Sequence, residues 1–194
     1  AESAGTVEIR FNILRTPEIN AYALSNGDIY LSVGLLARLE NEAQLAEVIG
    51  HEVTHVMLRH GLTALETRRS NIVAAHIADL FLFGTSIAYF PFLASNAHYS
   101  REQEQEADRY GMEAITRAGY DPNEAIRIFA VMQEVKKGEE VEGSAYSSHP
   151  TNQQREQALR ALMQTKTDKS TNPNRRVGEA EYTAFRSQIM EENI

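Results

Sequence analysis

The chain has 194 residues, of which 42% are apolar, and its formal net charge at neutral pH is −8. This length and composition predict one sizeable folded domain rather than a disordered chain. The acidic balance, without any run of lysine or arginine, argues against nucleic acid as a partner. The absence of cysteine excludes disulfide bonds and cysteine-ligated zinc.

The first predicted elements are strands. The stretch TVEIRFNIL (6–14) alternates, so that four apolar residues share one face of a half-buried strand: Val7, Ile9, Phe11 and Ile13. In NAYALSNGDIYLS (20–32), two β-rich runs flank Asn26-Gly27, which is a strong signal for a β-hairpin. We therefore predict a small antiparallel sheet on the N-terminal side.

Helical patterns follow the strands. Asn41 can cap a helix with Gln44 as its reciprocal partner, and Gly61 is a stop signal, so a helix is predicted over about residues 42–60. A second helix is predicted to begin near Asp121-Pro122, with Glu124 completing a capping box, and to run to residue 138.

The last third of the sequence predicts two more helices and a boundary between them. The stretch TNQQREQALRALMQ (151–164) is helical in pattern, residues 165–176 are polar and typical of a linker, and residues 178–192 predict a surface helix. The predicted organisation is a main domain of residues 1–164, followed by a polar linker and helical tail of residues 165–194.

Residues 80–100 contain no formally charged side chain. The segment approaches the length of a membrane span, but Gly84 and Pro91 interrupt it. Packing in a core or interface is the favoured interpretation, a true transmembrane helix is the least favoured, and contact with a membrane surface or a partner lies between them. The first ten residues carry no signal-peptide pattern, although the first residue can equally be a processed terminus.

The stretch GHEVTHVMLRHG (50–61) holds the chemistry-bearing motif. Four residues along a helix is about 40° around its axis, so His51 and His55 can both direct a ring nitrogen at one ion. Glu52 reaches the same cavity and can accept a proton from a water that zinc has acidified. His60 lies about 140° from His55 on a continuous helix, and is therefore interpreted as a helix-end histidine rather than a ligand.

A third ligand must come from elsewhere, and SREQEQEADRYG (100–111) offers candidates. A solvated, charged helix is the ordinary interpretation of such a run. The functional alternative uses Glu104 and Asp108, which share one face: Glu104 as the metal ligand and Asp108 as the acceptor for a histidine N–H. Two histidines and one glutamate would make the open, three-ligand site that is typical of catalytic zinc.

Four blocks together give the sequence a family resemblance. They are NAYALSNGDIYLSVGLL (20–36), NEAQLAEVIGHEVTHVMLRHG (41–61), SREQEQEADRYG (100–111) and SSHPTNQQR (147–155). In this order they resemble the HtpX/BepA-type zinc metalloendopeptidases, gluzincins whose family also holds the CAAX prenyl proteases. The resemblance implies an α+β, mostly helical, zincin-like metalloprotease domain with a small β-sheet on its N-terminal side.

The resemblance also implies roles for individual residues. Glu104 is expected as the third ligand of one Zn²⁺ per chain, with Asp108 behind it. His149 is expected at the active site, where it can stabilise the oxyanion or cap the zinc, and Arg155 is expected to anchor its loop. An extended polypeptide substrate is expected to pair with an edge strand formed by NAYA: Asn20, Ala21, Tyr22 and Ala23.

The predicted function is zinc-dependent cleavage of misfolded or envelope proteins, with Glu52 as the general base. The resemblance and the lack of cysteine favour the bacterial periplasm or a membrane-associated envelope location. One alternative is a gated, chaperone-like zinc protein of the same fold, and another is a structural zinc domain with four protein ligands. The presence of Glu52 argues against the structural domain, because a structural site does not need a general base.

Overall fold

A computed structural model describes residues 7–64, 66–67, 99–138, 153–166 and 175–193. The strands and longer helices follow in chain order: β1 (Arg10–Leu14), β2 (Ala21–Ala23), β3 (Asp28–Ser32), α1 (Val33–Arg38), α2 (Glu42–Met57), α3 (Arg101–Arg117), α4 (Asn123–Gly138), α5 (Gln153–Lys166) and α6 (Glu179–Asn193). Helices predominate, and the sheet lies on the N-terminal side. The predicted α+β, mostly helical class is confirmed.

The sheet has the order β1-β3-β2 and is mixed. The predicted hairpin is confirmed, since β2 and β3 pair antiparallel around the turn at Gly27. The prediction of a wholly antiparallel sheet is wrong, because β1 pairs parallel with β3. The reason is that β3 folds back between β1 and β2, and so meets β1 running in the same direction.

The apolar face of β1 is not half-buried as predicted. Phe11 and Ile13 pair in register with Ile29 and Leu31 of β3, yet they are 53% and 51% exposed while their partners are buried. The alternation therefore identifies the correct face. Burial differs because α1 packs against β3 and α2 against β2, so the described helices cover these two strands more than they cover β1.

Helix α2 starts as predicted but ends earlier. The Asn41 side chain accepts a hydrogen bond from Gln44 N at 2.9 Å. The Gln44 side chain bonds the backbone N–H of Glu40 instead of completing a box with Asn41. The predicted end near residue 60 is wrong: the helix stops at Met57, Arg59 takes a positive φ of 56°, and helical backbone resumes over residues 60–64.

Helices α2 and α3 cross at two glycines. A Cβ placed on Gly50 would lie 3.1 Å from Gly111 Cα, so no side chain separates the two backbones there. Ala107 of α3 is fully buried beside this crossing. The close approach brings the buried face of α3 directly onto the motif-bearing face of α2.

Helices α4, α5 and α6 form where the sequence predicts helices. The predicted capping box of Glu124 is wrong, because this buried carboxylate accepts hydrogen bonds from Asn41, the N-cap of α2, and from Gln44 in the first turn of that helix. Buried Tyr182 of α6 donates a hydrogen bond to Leu36 O at 2.7 Å. Helix α6 therefore contributes to the core, and the division at residue 165 stays a prediction.

Most of the uncharged segment 80–100 lies outside the described residues, apart from Tyr99 and Ser100. Within the described parts of the chain, no helix combines the length and apolar character needed to cross a membrane. His149 and its loop also lie outside the described residues. The predictions for these two regions stay predictions.

Candidate metal centre and active site

Three side chains from α2 and α3 converge on one point. The Nε2 atoms of His51 and His55 are 3.0 Å apart, and they lie 3.6 Å and 3.5 Å from the two carboxylate oxygens of Glu104. One ligand atom from each residue falls within 4.8 Å of the others. His55 and Glu104 are almost fully buried, and His51 is 9% exposed.

The donor set fits a tetrahedral divalent ion. Two donors at about 2.0–2.1 Å from zinc, at the tetrahedral angle, are about 3.3 Å apart. The two Nε2 atoms are 3.0 Å apart, close to that value. His55 Nε2 lies 3.5 Å from Glu104 Oε1 and His51 Nε2 lies 3.6 Å from Glu104 Oε2, so a different oxygen of the same carboxylate faces each ring. Two imidazoles and one carboxylate also match the ligand chemistry of catalytic zinc, in which a fourth position stays open.

His51 is oriented by a buried ion-pair network. Its Nδ1 lies 3.1 Å from Asp108 Oδ1, so Asp108 can accept the Nδ1 proton and leave the Nε2 lone pair for a metal. Arg155 donates to both Asp108 oxygens, at 2.6 and 2.8 Å, and its other terminal nitrogen lies 2.6 Å from Glu104. One guanidinium thus contacts two buried carboxylates of α3, Asp108 and Glu104.

These contacts decide the charge state of Asp108. Burial alone would disfavour the carboxylate, but hydrogen bonds from Arg155 and His51 outweigh burial and lower the pKa of Asp108 to about 2. Burial likewise opposes the charge on Arg155, while its bond to Asp108 raises the pKa of the guanidinium above its ordinary value. Both groups are therefore ionised at neutral pH.

His55 is held in a different way. Its Nδ1 lies 2.9 Å from Nδ1 of His60, and Nε2 of His60 lies 3.4 Å from Glu106 Oε2. On a continuous helix, His60 would face away from His55, as the sequence analysis expected. The break at Arg59 changes this geometry and turns His60, only 4% exposed, towards Nδ1 of His55.

Glu52 and Tyr99 complete the surroundings of the ligands. Glu52 directly follows His51 and is 2% exposed. The Tyr99 ring stacks on His55, with centroids 3.9 Å apart. Burial, followed by the charges of Glu52 and Glu104, raises the pKa of Tyr99 to about 12, so its phenol stays protonated at neutral pH.

A further carboxyl lies one turn before His51. Glu47 is 4% exposed, and its Oε1 would lie 3.1 Å from a Cβ on Gly111. Burial, reinforced by the charge of Asp108, raises the pKa of Glu47 well above its ordinary value. Among the described residues, Glu47 Oε2 has no hydrogen-bond partner, and burial without a partner disfavours the charged form of this carboxyl.

The edge strand expected to hold substrate lies beside α2. The bonds from Leu24 N to Asp28 O and from Ser32 N to Asn20 O fix the alternation of the β2–β3 ladder. Tyr22 therefore bonds inward to Tyr30, and the backbone N–H and C=O groups of Ala21 and Ala23 point to the outer edge. Strand β2 packs against the helix that carries both histidines.

The structure brings together most of the site residues predicted from the sequence: His51, Glu52, His55, Glu104, Asp108 and Arg155. Sequence reasoning missed three neighbours of the site: Glu47, His60 and Tyr99. Glu47 carried a usable signal, because it lies four residues before His51 and so shares its face. For His60, a continuous helix predicted a position on the opposite side from His55, whereas the two rings are in contact.

A buried His-Glu-x-x-His helix joined by a glutamate from a second helix is the arrangement expected of metal-dependent peptidases. The family model of Peptidase family M48 matches residues 4–163 of this chain. This match covers most of the chain, and the chain therefore belongs to Peptidase family M48.

The chain spans less than two thirds of the length of each of three curated relatives that it matches. The chain is 32% identical over 124 residues to the beta-barrel assembly-enhancing protease of Escherichia coli, which covers 58% of this chain and 26% of the relative. It is 29% identical over 147 residues to the mitochondrial metalloendopeptidase OMA1 of Arabidopsis thaliana, a match that covers 76% of this chain and 30% of the relative. It is 28% identical over 162 residues to the metalloprotease LoiP of Escherichia coli, a match that covers 80% of this chain and 63% of the relative.

Proposed function

We propose that this chain is a zinc-dependent metalloendopeptidase that binds one Zn²⁺ through His51, His55 and Glu104. The observation that carries the proposal is the convergence of three ligand atoms within 4.8 Å in a buried site that also holds Glu52. Membership of Peptidase family M48 supports it. Zinc is the ion proposed because two histidines, one glutamate and an open fourth position are the ligand set of catalytic zinc in hydrolases.

The proposed reaction divides the work among the protein's own groups. A Zn²⁺ held by His51, His55 and Glu104 would supply Lewis acidity, which would polarise the scissile carbonyl and lower the pKa of a bound water to about 7. Glu52 takes the proton from the attacking water and delivers it to the leaving amine. His149, or the protonated phenol of Tyr99, donates to the developing oxyanion. Asp108 and Arg155 hold His51 and Glu104 in place during the reaction.

The proposed substrate is an extended stretch of polypeptide. The outward N–H and C=O groups of Ala21 and Ala23 can pair with such a stretch, which would become an additional strand beside β2. Asn20 and Tyr22 flank these positions. Pairing through the backbone tolerates many side chains, which suits an enzyme that cuts unfolded proteins of varied sequence.

The proposed role is quality control of proteins in the bacterial envelope, with the enzyme in the periplasm or associated with a membrane. One relative is named for enhancing β-barrel assembly, and two others are named as metalloproteases or metalloendopeptidases. The absence of cysteine is compatible with an oxidising compartment. Residues 80–100 are the proposed contact with a membrane surface or a partner.

The test of the activity is cleavage of casein by the wild type and by Glu52→Gln, with zinc content measured on the same samples. Glu102→Gln is the matched control, because Glu102 is an exposed glutamate. We expect about one zinc per chain in all three proteins, as a three-ligand site predicts. Cleavage should be lost only in Glu52→Gln. Equal cleavage by Glu52→Gln and the wild type would contradict the proposed base.

The same samples separate the alternatives. If the wild type binds zinc but does not cleave, the gated, chaperone-like function is favoured, and His149→Ala should then release activity. A chaperone function would also survive Glu52→Gln, whereas peptidase activity would not. If the wild type binds no zinc, the site assignment itself fails.

A further inference from the structure

We propose that His60 is a positioning residue for the metal ligand His55, and that Glu106 fixes His60 in turn. This inference rests on the proposed zinc site. It adds a second orienting device, beside the one that Asp108 supplies to His51. Its residues lie outside the ligand set, and the pattern of the motif places His60 on the wrong face for such a role.

The first step of the argument is the proton between two ring nitrogens. Nδ1 of His55 and Nδ1 of His60 are 2.9 Å apart, so one must donate and the other accept. His55 needs the lone pair of its Nε2 for the metal, since this atom faces His51 and Glu104. A neutral His55 therefore carries its proton on Nδ1 and donates it to His60.

The second step fixes the tautomer of His60. Because Nδ1 of His60 accepts, its proton lies on Nε2, and this atom faces Glu106 Oε2 at 3.4 Å. The result is a directed chain from Glu106 through His60 and His55 to the metal position. Ligating histidines generally have such an acceptor on their second nitrogen, and the acceptor sets both the tautomer and the ring orientation.

The third step is the backbone that makes the contact possible. Arg59 adopts a left-handed conformation with a φ of 56°, which breaks the helix directly before His60. Gln103, a member of the capping box of α3, donates to His60 O at 3.4 Å. Helix α3 thus contacts the segment after the break, and the same helix supplies Glu104 and Glu106.

The fourth step is the confinement of the His55 ring. Tyr99 stacks on it at 3.9 Å between centroids, while His60 meets it edge-on at 4.9 Å with an angle of 75°. Stacking restrains the plane of the ring but allows two orientations related by a 180° flip about the Cβ–Cγ bond. The hydrogen bond from Nδ1 to His60 selects one of them, the orientation in which Nε2 faces His51 and Glu104.

The experiment measures Zn²⁺ affinity of the full chain by competition with a chromophoric chelator, with folding in excess chelator checked by circular dichroism. His60→Phe keeps an aromatic ring but has no acceptor. His60→Asn loses the ring, but its amide oxygen takes about the position of Nδ1. Positioning predicts that His60→Phe weakens zinc binding about 10- to 100-fold and that His60→Asn recovers part of the loss.

A role in packing alone predicts the opposite order, with His60→Phe binding zinc better than His60→Asn. That order, or wild-type affinity in His60→Phe, would overturn the inference. Glu106→Gln should weaken zinc binding by less than about tenfold, because the Glu106 side chain is 49% exposed. Its matched control, Glu102→Gln, should bind as the wild type does. Absence of zinc binding in the wild type would instead overturn the proposed function, and this inference with it.

Discussion

Replacing Arg155 should be among the most costly substitutions in the molecule. Arg155 is 5% exposed, and its guanidinium contacts two carboxylates, Asp108 and Glu104, at 2.6 to 2.8 Å. Arg155→Met keeps most of the volume but leaves both carboxylates buried without their cation. Breaking a buried ion pair by removing one partner costs about 3–5 kcal/mol, and we expect a loss in this range.

The assay is urea unfolding followed by circular dichroism at neutral pH, with excess chelator so that metal binding does not contribute. Arg155→Lys should lose less unfolding free energy than Arg155→Met, because lysine keeps the positive charge. It should still be less stable than the wild type, because lysine lacks the bidentate fork of arginine. Arg160→Met is the matched control on the same helix. Arg160 pairs with Glu156 one turn away and its side chain is 58% exposed, so its loss should cost no more than about 0.5 kcal/mol. Equal losses for Arg155→Met and Arg160→Met would refute the reasoning.

Three further predictions concern α2 and its neighbours. Glu47→Gln should stabilise the metal-free protein more at pH 7 than at pH 5. Above about pH 4.3 the unfolded chain ionises Glu47 while the buried carboxyl stays neutral, so wild-type stability falls by up to about 1.4 kcal/mol per pH unit until the folded pKa is reached. Urea unfolding at both values checks this, and a pH-independent difference would contradict it. Gly111→Ala should lower the free energy of unfolding by about 1–2 kcal/mol, because the added Cβ would lie 3.1 Å from His51 N and this crowding outweighs the better helix propensity of alanine. A thermal midpoint at or above that of the wild type would be incompatible with the close crossing of α2 and α3. Arg59→Gly should raise the free energy of unfolding by up to about 1 kcal/mol, because glycine adopts the left-handed conformation of this position without strain. A clear loss of stability in urea would instead indicate a continuous helix at residue 59.

The sequence predicts which candidate side chains lie together on the helices better than it predicts the pairing of the strands. His51 and His55, like Glu104 and Asp108, are pairs four residues apart on helices, and local periodicity alone fixes which residues share a face. That periodicity also identifies the face of Phe11 correctly. It does not reveal which strand lies beside β1 or that β1 is at an edge, because strand pairing and covering depend on distant parts of the chain.

The end of α2 could not be predicted for a related reason. Leu58 and Arg59 are good helix formers, and Gly61 is the usual kind of stop signal, so local propensity places the end too late. Contacts with distant residues accompany the observed break: His60 packs against His55 and accepts a hydrogen bond from Gln103. Propensity is a weak prior where tertiary contacts of this kind compete with it.

The most direct test of the account is a crystal structure of the zinc-loaded protein with anomalous scattering recorded at the zinc edge. The account predicts one strong peak per chain, bonded to Nε2 of His51, Nε2 of His55 and a carboxylate oxygen of Glu104, at about 2.0–2.2 Å. A peak at another position, or no peak between these three side chains, would contradict the central claim that they form the metal centre.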